Sequence, residues 1–283
     1  MLTGNERVMV QGITGKYGRF HTEKMLNYGT KILCGTSKNL SEKNVHGVPV
    51  FESVKECVEK YGVDTSIVFV PAPYAKEAVM ESLQNGIKKI VIITEHIPVH
   101  DTLEFVNYAK QVGATIVGPN CPGVIVPGKI KLGIMPEKYF KQGSVAIISR
   151  SGTLMYEIAS FVSRAKGISV AIGLGGDPII GTNMHEAFKF LMGREINEVV
   201  VIGEIGPSFE VDGIRKAIDE GFIGKITAFF AGRYAPKGKR MGHAGAIVEG
   251  ETGTVQYKEM VLEKIGVIIS KTPSQIAEVI EKW

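Results

Sequence analysis

A histidine between two glycines near the C-terminus is the first candidate for chemistry in this sequence. Gly242–Gly245 reads Gly-His-Ala-Gly, and three cations stand just upstream, Lys237, Lys239 and Arg240. A neutral imidazole is a good nucleophile, and glycines let the backbone approach other groups closely. Cations at the same place favour an anion. The pattern predicts that His243 meets or carries a phosphoryl group, and a solvated surface histidine is the alternative.

A glutamate after a predicted strand supplies a partner for this histidine. Glu204 follows the predicted strand Glu198–Ile202 and has Gly203 and Gly206 on either side. A carboxylate that accepts from one imidazole nitrogen fixes the tautomer and leaves the other nitrogen free as a nucleophile. We therefore expect Glu204 to hold His243. A solvated loop glutamate is the alternative.

Two turns that lead from a strand into a helix could bind anions. Gly12–Gly18 has a glycine at every third position, which differs from the G-x-G-x-x-G spacing of dinucleotide sites. Arg150–Thr153 also follows a strand, and it lacks the G-x-S-x-G frame of serine hydrolases. Backbone N–H groups at a helix N-terminus bind phosphate. The alternatives are a tight turn in the first case and a plain N-cap in the second.

The end of the second predicted strand indicates which nucleotide the first turn suits. An NAD site places an Asp or Glu there to bind the ribose. This chain instead has hydroxyls and lysines, namely Thr36, Ser37, Lys38 and Lys43. These groups suit a phosphorylated ribose, as in coenzyme A or NADP.

Short Val/Ile-rich runs alternate with amphipathic stretches along the whole chain. Runs of this kind are typical of parallel strands covered by helices on both faces. The alternation predicts a doubly wound α/β fold, and two blocks of about five strands predict two sheets. Proline and glycine concentrate in Gly118–Gly123 and just after it. We therefore expect a first domain over residues 1–124 and a second over residues 125–283.

The ten predicted strands are Arg7–Gln11, Lys31–Cys34, Thr65–Val70, Lys89–Thr94, Thr115–Val117, Ser144–Ser149, Ser169–Ile172, Glu198–Ile202, Lys225–Ala231 and Gly266–Ile269.

Composition excludes several classes of protein. The 283 residues are 44% hydrophobic with a net charge of +4, which argues against a nucleic-acid or membrane-surface partner. No apolar run approaches the roughly 18 residues of a membrane span, and no signal peptide is recognisable. The cysteines, Cys34, Cys57 and Cys121, are odd in number and widely spaced, so we expect neither a disulfide framework nor a cysteine metal site. A cytoplasmic location is the expectation.

Two further motifs resemble a metal site and an ATP-binding loop but do not match either pattern. His96 and His100 have the spacing of helical metal ligands, but Pro98 between them opposes a continuous helix, so no metal site is expected. The segment Gly232–Arg240 has neither the spacing nor the terminal Ser or Thr of an ATP-binding P-loop. A nucleotide would therefore bind on another chain.

Taken together, the motifs resemble those of succinyl-CoA synthetase α subunits, the ADP- or GDP-forming succinate–CoA ligases, from end to end. The segments that carry the resemblance are Gln11–Gly15, Val70–Pro73, Ile93–Glu95, Gly118–Gly123, Ser149–Leu154, Gly175–Pro178, Gly203–Gly206 and Ala235–Ala246.

The resemblance implies an N-terminal Rossmann-like CoA-binding domain followed by a flavodoxin-like domain. It also implies a reversible reaction in which succinyl-CoA and phosphate give succinyl phosphate. His243 then takes the phosphoryl group and delivers it to ADP or GDP. The Mg-nucleotide would lie on a β subunit of the ATP-grasp type, in an αβ or (αβ)2 assembly.

The same resemblance assigns the other site residues. Glu204 matches the glutamate that holds the active histidine, and Tyr156 matches a substrate-site residue. Ser151 and Gly152 would start the helix that faces the phosphohistidine. CoA would be bound by Thr14, Gly15, Lys16, Tyr17, Ile93, Thr94 and Glu95, with Pro71, Asn120, Cys121 and Pro122 nearby.

One loop departs from the family pattern. Relatives usually carry Thr-Pro-Gly-Lys-Gly-Gly after the second strand, whereas this chain reads Thr36–Ser41 as Thr-Ser-Lys-Asn-Leu-Ser. The lysine that contacts CoA in the family falls on Leu40. Lys38 or Lys43 would have to supply that charge.

Three other functions are compatible with parts of the sequence. A ligase subunit for a related acid such as malate would share nearly all these motifs. An NADP-linked oxidoreductase is disfavoured by the glycine spacing, and a non-catalytic CoA-binding module is disfavoured by the intact His243 loop.

Overall fold

The computed structural model describes residues 2–38, 42–236, 238–248 and 250–283, and it divides into two compact units. The first unit runs to Ile125 and adds Lys129–Met135 and Ile179–Gly181. The second comprises Val126–Gly128, Pro136–Pro178 and Thr182–Trp283. Leu40 lies outside the described residues, as does Lys237.

The first unit is a sheet in which the helices α1 to α4 connect β1 to β2, β4 to β5, β5 to β6 and β6 to β7. Its strands follow the order β3-β4-β2-β1-β5-β6-β7, and all neighbours are parallel except the pair β3 and β4. The neighbouring strands β8 and β9 follow in the chain. The elements are β1 Val8–Gln11, α1 Lys16–Asn27, β2 Ile32–Thr36, β3 Asn44–Val45, β4 Val48–Phe51, α2 Val54–Tyr61, β5 Thr65–Val68, α3 Ala72–Gln84, β6 Lys89–Ile92, α4 Val99–Gln111, β7 Thr115–Val117, β8 Gly123–Val126 and β9 Ile130–Gly133.

The second unit contains five parallel strands in the order β14-β13-β12-β10-β11. Four of its helices, α5 to α8, connect or follow these strands. The elements are a 3-10 helix at Glu137–Tyr139, β10 Gln142–Ser149, α5 Gly152–Ala165, β11 Ile168–Gly173, α6 Met184–Met192, β12 Glu198–Glu204, α7 Phe209–Asp219, β13 Lys225–Ala231, α8 Val255–Glu263, β14 Ile268–Ile269 and α9 Gln275–Ile280.

The prediction of an α/β fold with two parallel sheets is confirmed. Every predicted strand falls on a strand of the structure, because the central strands are buried along their length, as in β1 and β5. The short strands β3, β4, β8 and β9 were not predicted. β3 spans only two residues, so it has too few positions to show a periodic pattern.

The expectation that the cysteines form no disulfide is wrong. Cys34 on β2 and Cys57 on α2 are joined, with their Cα atoms 6.1 Å apart, within the range that a disulfide spans. Both are fully buried where α2 packs on β2. Their separation of 23 residues gives no sequence signal, because only the packing of helix on strand brings them together. Cys121 is a buried free thiol.

No helix in the described part of the chain is long and apolar enough to span a membrane. Likewise, within residues 2–38, 42–236, 238–248 and 250–283, no group of three or more His, Cys, Asp or Glu side chains is arranged to hold a metal ion.

Candidate functional site

The second sheet brings several polar segments to one edge. β10 ends at Ser149 and β12 at Glu204, and both strands run parallel, so their carboxyl ends share that edge. Arg150 follows β10 directly, and Asp177 lies in the turn after β11. Open α/β sheets bind ligands outside the carboxyl ends of their strands.

The predicted contact between His243 and Glu204 is present in the structure. His243 Nδ1 lies 2.6 Å from Glu204 Oε2, and the Glu204 side chain is 10% exposed. The two residues are 39 positions apart in the sequence. With Nδ1 donating its proton to the carboxylate, the lone pair of the neutral imidazole lies on Nε2.

The imidazole lies against the backbone of Gly176. A Cβ atom at this position would lie 2.6 Å from Cδ2 and 3.0 Å from Nε2 of His243. Real Cβ contacts are not that short, so a side chain here would displace the ring. The Gly175–Pro178 turn, one of the segments that carry the family resemblance, therefore also seats the histidine.

The hydrogen bond to Glu204 raises the pKa of His243 above its usual value. Burial of the ring and the positive charge of Arg150 act in the opposite direction, whereas the charges of Glu204 and Asp177 add to the rise. Glu204 therefore orients the ring and stabilises its protonated form. The positive charge of Arg150 instead favours the neutral imidazole. A nucleophilic Nε2 needs the neutral form.

Arg150 is a buried cation beside this pair, and it was not among the predicted site residues. Its guanidinium is 5% exposed, with Nε 3.4 Å from Glu204 Oε1. Neither atom makes a hydrogen bond to a described residue, so charge attraction joins them. Nη2 donates to the Asp177 carbonyl over 3.0 Å. A signal was available, because an arginine directly after a predicted buried strand needs a charged or polar partner.

The loop around His243 is held by short-range backbone bonds. The His243 N–H donates to the Met241 carbonyl over 3.1 Å, and Ala246 N–H donates to the His243 carbonyl over 3.1 Å. Arg240 forms an isolated bridge with Ile247, and both Lys239 and Arg240 have exposed side chains.

The turn after β10 starts α5, as predicted. Ser151 is the N-cap, and its hydroxyl accepts from Leu154 N–H over 3.4 Å. Gly152 is the first helical residue. Tyr156 lies one turn along, its ring edge-on to Phe140 with the centroids 6.3 Å apart. The hydroxyl of Ser151 therefore serves its own helix, and the N–H groups of the first turn are the anion donors that this segment offers.

In the first unit, the turn between β1 and α1 carries four of the predicted CoA residues. The Thr14 hydroxyl lies 2.7 Å from the Ser37 hydroxyl, which links this turn to the end of β2. Gly15 is the N-cap of α1. Lys16 and Tyr17 stand in the first turn, and the Tyr17 side chain is 70% exposed.

The structure joins the neighbouring strand ends by hydrogen bonds. The Thr94 hydroxyl donates to the Val70 carbonyl over 2.6 Å, and Asn120 N–H donates to the Thr94 carbonyl over 2.9 Å. These bonds bring together the segments after β5, β6 and β7. The other predicted residues in these segments are Pro71 at the N-cap of α3, Ile93, the exposed Glu95, the buried Cys121 and Pro122.

The two lysines predicted to contact the CoA phosphate differ in their surroundings. Lys38 Nζ lies 2.5 Å from Glu77 Oε1 on α3, and both side chains are more than half exposed. Lys43 is exposed, and its carbonyl accepts from Val50 N–H over 3.0 Å. A carboxylate therefore already competes for the charge of Lys38.

Two family models match this chain. The CoA binding domain matches residues 3–96, and the CoA-ligase domain matches residues 148–268.

Curated relatives match over nearly the full length. Subunit alpha 2 of the ADP-forming succinate–CoA ligase of Archaeoglobus fulgidus is 49% identical over 280 residues, covering 97% of this chain and 96% of the relative. The corresponding alpha subunit of Methanothermobacter thermautotrophicus is 45% identical over 280 residues, with 98% and 94% covered.

Among solved structures, ATP citrate lyase from Methanothrix soehngenii in complex with citrate and coenzyme A is similar, with a TM-score of 0.88 at 22% identity. The match covers 98% of this chain and 49% of the lyase chain, so this chain spans about half of that protein. At this identity the likeness shows a shared fold.

Proposed function

Because this chain belongs to the family of succinate–CoA ligase α subunits, we propose that His243 is its phosphoryl carrier. The observation that supports the proposal is the hydrogen bond from His243 Nδ1 to Glu204, which leaves Nε2 as the nucleophilic nitrogen. No hydrogen bond occupies Nε2 among the residues that the structure describes.

The proposed reaction has three reversible steps. An oxygen of inorganic phosphate attacks the thioester carbon of succinyl-CoA, the C–S bond breaks, and free CoA and succinyl phosphate result. Nε2 of His243 then attacks the phosphorus, the P–O bond to the acyl group breaks, and succinate leaves. Finally, a terminal oxygen of ADP or GDP takes the phosphoryl group and restores the imidazole. Covalent catalysis of this kind divides one difficult transfer into easier ones.

Each described side chain around His243 has a role in these steps. Glu204 holds the tautomer and stabilises the positive charge that the ring gains when Nε2 is phosphorylated. Arg150 balances the Glu204 carboxylate, because its Nε lies 3.4 Å from Oε1. Ser151 and Gly152 start α5, where the N–H groups of Gly152 and Thr153 would donate to an anion, whereas the Ser151 N–H already donates to Ser149 Oγ over 3.1 Å. Tyr156 contributes to the acid site.

CoA would occupy the first unit. The backbone of the turn that contains Thr14 and Gly15 would receive its phosphates, since glycine-rich turns at helix N-termini bind phosphate through N–H groups. Lys16 and Tyr17 would flank them. The linked segments Ile93–Glu95 and Asn120–Pro122, with Pro71, would hold the rest of the cofactor, and Lys38 or Lys43 would meet the 3′-phosphate.

This assignment gives each domain of the chain, and its partner subunit, a separate function. Residues 1–124 would bind CoA, and residues 125–283 would carry the phosphoryl group. The Mg-nucleotide would lie on a β subunit, because the P-loop spacing is absent from the sequence. We propose a cytoplasmic complex, αβ or (αβ)2.

The test is phosphorylation of the purified complex with its β subunit by nucleotide labelled at the terminal phosphate. We expect an acid-labile, base-stable label on this chain, as a phosphohistidine gives, and no label on His243→Asn. His185→Asn is the matched control, since His185 pairs with Glu220 elsewhere on the second unit and should leave labelling unchanged.

Label that survives in His243→Asn would contradict the proposal. The labelling test does not distinguish succinate from a related acid, because a malate-activating relative would be labelled equally well. The acid that removes the label from the phosphorylated complex, found by testing a panel of acids, identifies the substrate.

A further inference from the structure

A fully buried lysine lies beneath the segment that carries Glu204. Lys258 is in the first half of α8 and is 0% exposed. Lysine is almost never fully buried unless it is paired. From the sequence alone, a lysine in an amphipathic helix would be assigned to the solvated face.

All three donors of the Lys258 ammonium are used. Nζ donates to the Glu204 carbonyl over 2.7 Å, to the Pro207 carbonyl over 2.9 Å and to Glu210 Oε2 over 2.6 Å. These partners come from the end of β12, from the following turn and from α7. The ammonium therefore joins three points of one continuous segment, residues 204–210.

Further contacts hold the ammonium and residues 204–210 in place. Lys258 Nζ lies 5.7 Å from the centroid of the Phe230 ring on β13. Gly206 N–H donates to the Gly253 carbonyl over 3.0 Å. The backbone from Glu204 to Glu210 is thus tied both to α8 and to the segment that precedes it.

This arrangement is costly for the fold. Removing two charges from water is unfavourable, and replacing a buried pair by apolar side chains is often neutral or stabilising. The pair of Lys258 and Glu210 is 0% and 1% exposed. Stability alone therefore does not explain why the pair is present.

We propose that Lys258, with Glu210, is a positioning residue for the phosphoryl carrier. By holding the Glu204 carbonyl, the ammonium fixes the backbone from which the Glu204 carboxylate reaches Nδ1 of His243. Among the described residues, the Lys258 ammonium donates to the Glu204 and Pro207 carbonyls and to the Glu210 carboxylate, and not to the His243 imidazole. The role in phosphoryl transfer rests on the proposed function, whereas the effect on the contact between Glu204 and His243 does not.

The test is a charge-neutral double variant, Lys258→Met with Glu210→Gln. It removes one positive and one negative charge together, so the direct change in electrostatic field at His243 is small. The matched control is Lys166→Met with Glu198→Gln. That ion pair, at 2.5 Å, lies at the opposite end of the same strand, β12.

The first measurement is the NMR titration of the His243 ring in the full-length chain, assigned by comparison with His243→Asn. Glu204, Arg150 and Asp177 are the charged groups that act on this ring, and none of them is changed. We expect the His243 pKa to fall toward that of an exposed histidine in the Lys258 variant. The control variant should titrate like the wild type.

The second measurement is the rate of phosphohistidine formation in the complex with the β subunit. A shift of about 1 Å in a catalytic group can cost up to about 100-fold in rate, so we expect slowing on the order of 10- to 100-fold. The KM for nucleotide should remain unchanged, because Lys258 is fully buried and would not reach a bound nucleotide.

The two proposals fail in different ways. An unshifted His243 titration in a folded Lys258 variant would overturn the positioning role, whatever the labelling shows. A wild-type complex that is not labelled on His243 would overturn the proposed function and leave the titration result standing. Should the double variant not fold, Lys258→Gln with Glu210→Gln is equally charge-neutral and keeps polar side chains at both positions. It should move the titration in the same direction, and no movement would overturn the proposal.

Discussion

The candidate CoA site of the first unit and the candidate phosphoryl site of the second differ in how they are built. The first consists of backbone groups and exposed side chains, such as Tyr17 and the pair of Lys38 and Glu77. The second consists of buried charges, with Arg150 5% and Glu204 10% exposed on their side chains.

This difference predicts different sensitivities to substitution. An exposed ion pair contributes about 0–1 kcal/mol, whereas breaking a buried pair costs about 3–5 kcal/mol. A site made of backbone tolerates most side-chain changes but not the loss of its glycines. A site made of coupled buried charges loses its function when any one partner is replaced.

The largest expected effect is that of Glu204→Gln in the second unit. The amide keeps the size of the side chain but removes the negative charge that stabilises phosphorylated His243, and it leaves Arg150 without its counter-charge. We expect phosphorylation to slow on the order of 100-fold, the typical cost of losing one preorganised electrostatic contact. Single-turnover labelling of the complex with its β subunit measures this.

Glu198→Gln is the control for that variant, because Glu198 begins the same strand and pairs with Lys166. It should label at the wild-type rate. Normal labelling kinetics in Glu204→Gln would show that buried charge is not what makes the second site sensitive.

The next effect concerns the glycines of the first unit. A Cβ at Gly18 would overlap the Gly12 carbonyl oxygen, whereas a Cβ at Gly15 would lie 3.3 Å from it. Gly12 itself has φ +78°, which it needs to make the turn. We therefore expect Gly18→Ala to destabilise the protein by about 1–3 kcal/mol, the usual cost of overpacking.

Gly15→Ala is the matched control, since Gly15 has φ −67° and starts α1. Urea unfolding monitored by circular dichroism compares the free energies of unfolding of the two variants. If the two variants were equally stable, the backbone of the turn would be able to adapt to a side chain at position 18. The first site would then not depend on its glycines, as the comparison with the second site assumes.

The smallest effect is expected for Lys38→Met. The lysine is exposed and paired with Glu77, so its loss should weaken CoA binding only by a few-fold, or about 0.5–1 kcal/mol. Isothermal titration with CoA measures the change, and dephospho-CoA, which lacks the 3′-phosphate, should show no difference between variant and wild type.

Glu77→Gln should have the opposite sign, because it frees the Lys38 ammonium for the phosphate. If both variants bind CoA like the wild type, Lys43 becomes the remaining candidate for the charge that relatives place at the position of Leu40.

Much of the fold could be predicted from local sequence. The buried strands β1, β12 and β13 contain apolar runs, and such runs are recognisable without knowing their neighbours. The helix α7 is harder to recognise from the sequence, because it starts with Phe-Glu-Val-Asp-Gly and its glycine interrupts the pattern. The structure explains this glycine, since a Cβ at Gly213 would be only 2.6 Å from Met184 Cβ on α6.

The candidate site was predictable where its residues belong to motifs. His243 in its glycine loop and Glu204 at a strand end each had a chemical reason to be singled out, and the structure joins them at 2.6 Å. Family membership, predicted from the same motifs, is confirmed by relatives at 49% and 45% identity. The roles assigned to individual residues remain predictions.

The amino-acid sequence by itself determined the two parallel sheets and the glycine turns, and it predicted that His243 pairs with Glu204. These follow from local patterns of hydrophobicity and from chemical types at strand ends. Tertiary structure alone decided that Arg150 lies beside Glu204, that Cys34 meets Cys57 and that Lys258 is buried under residues 204–210. The physical reason is that burial and pairing of a charge or thiol depend on which helix covers which strand, and that information lies in contacts between residues far apart in the sequence.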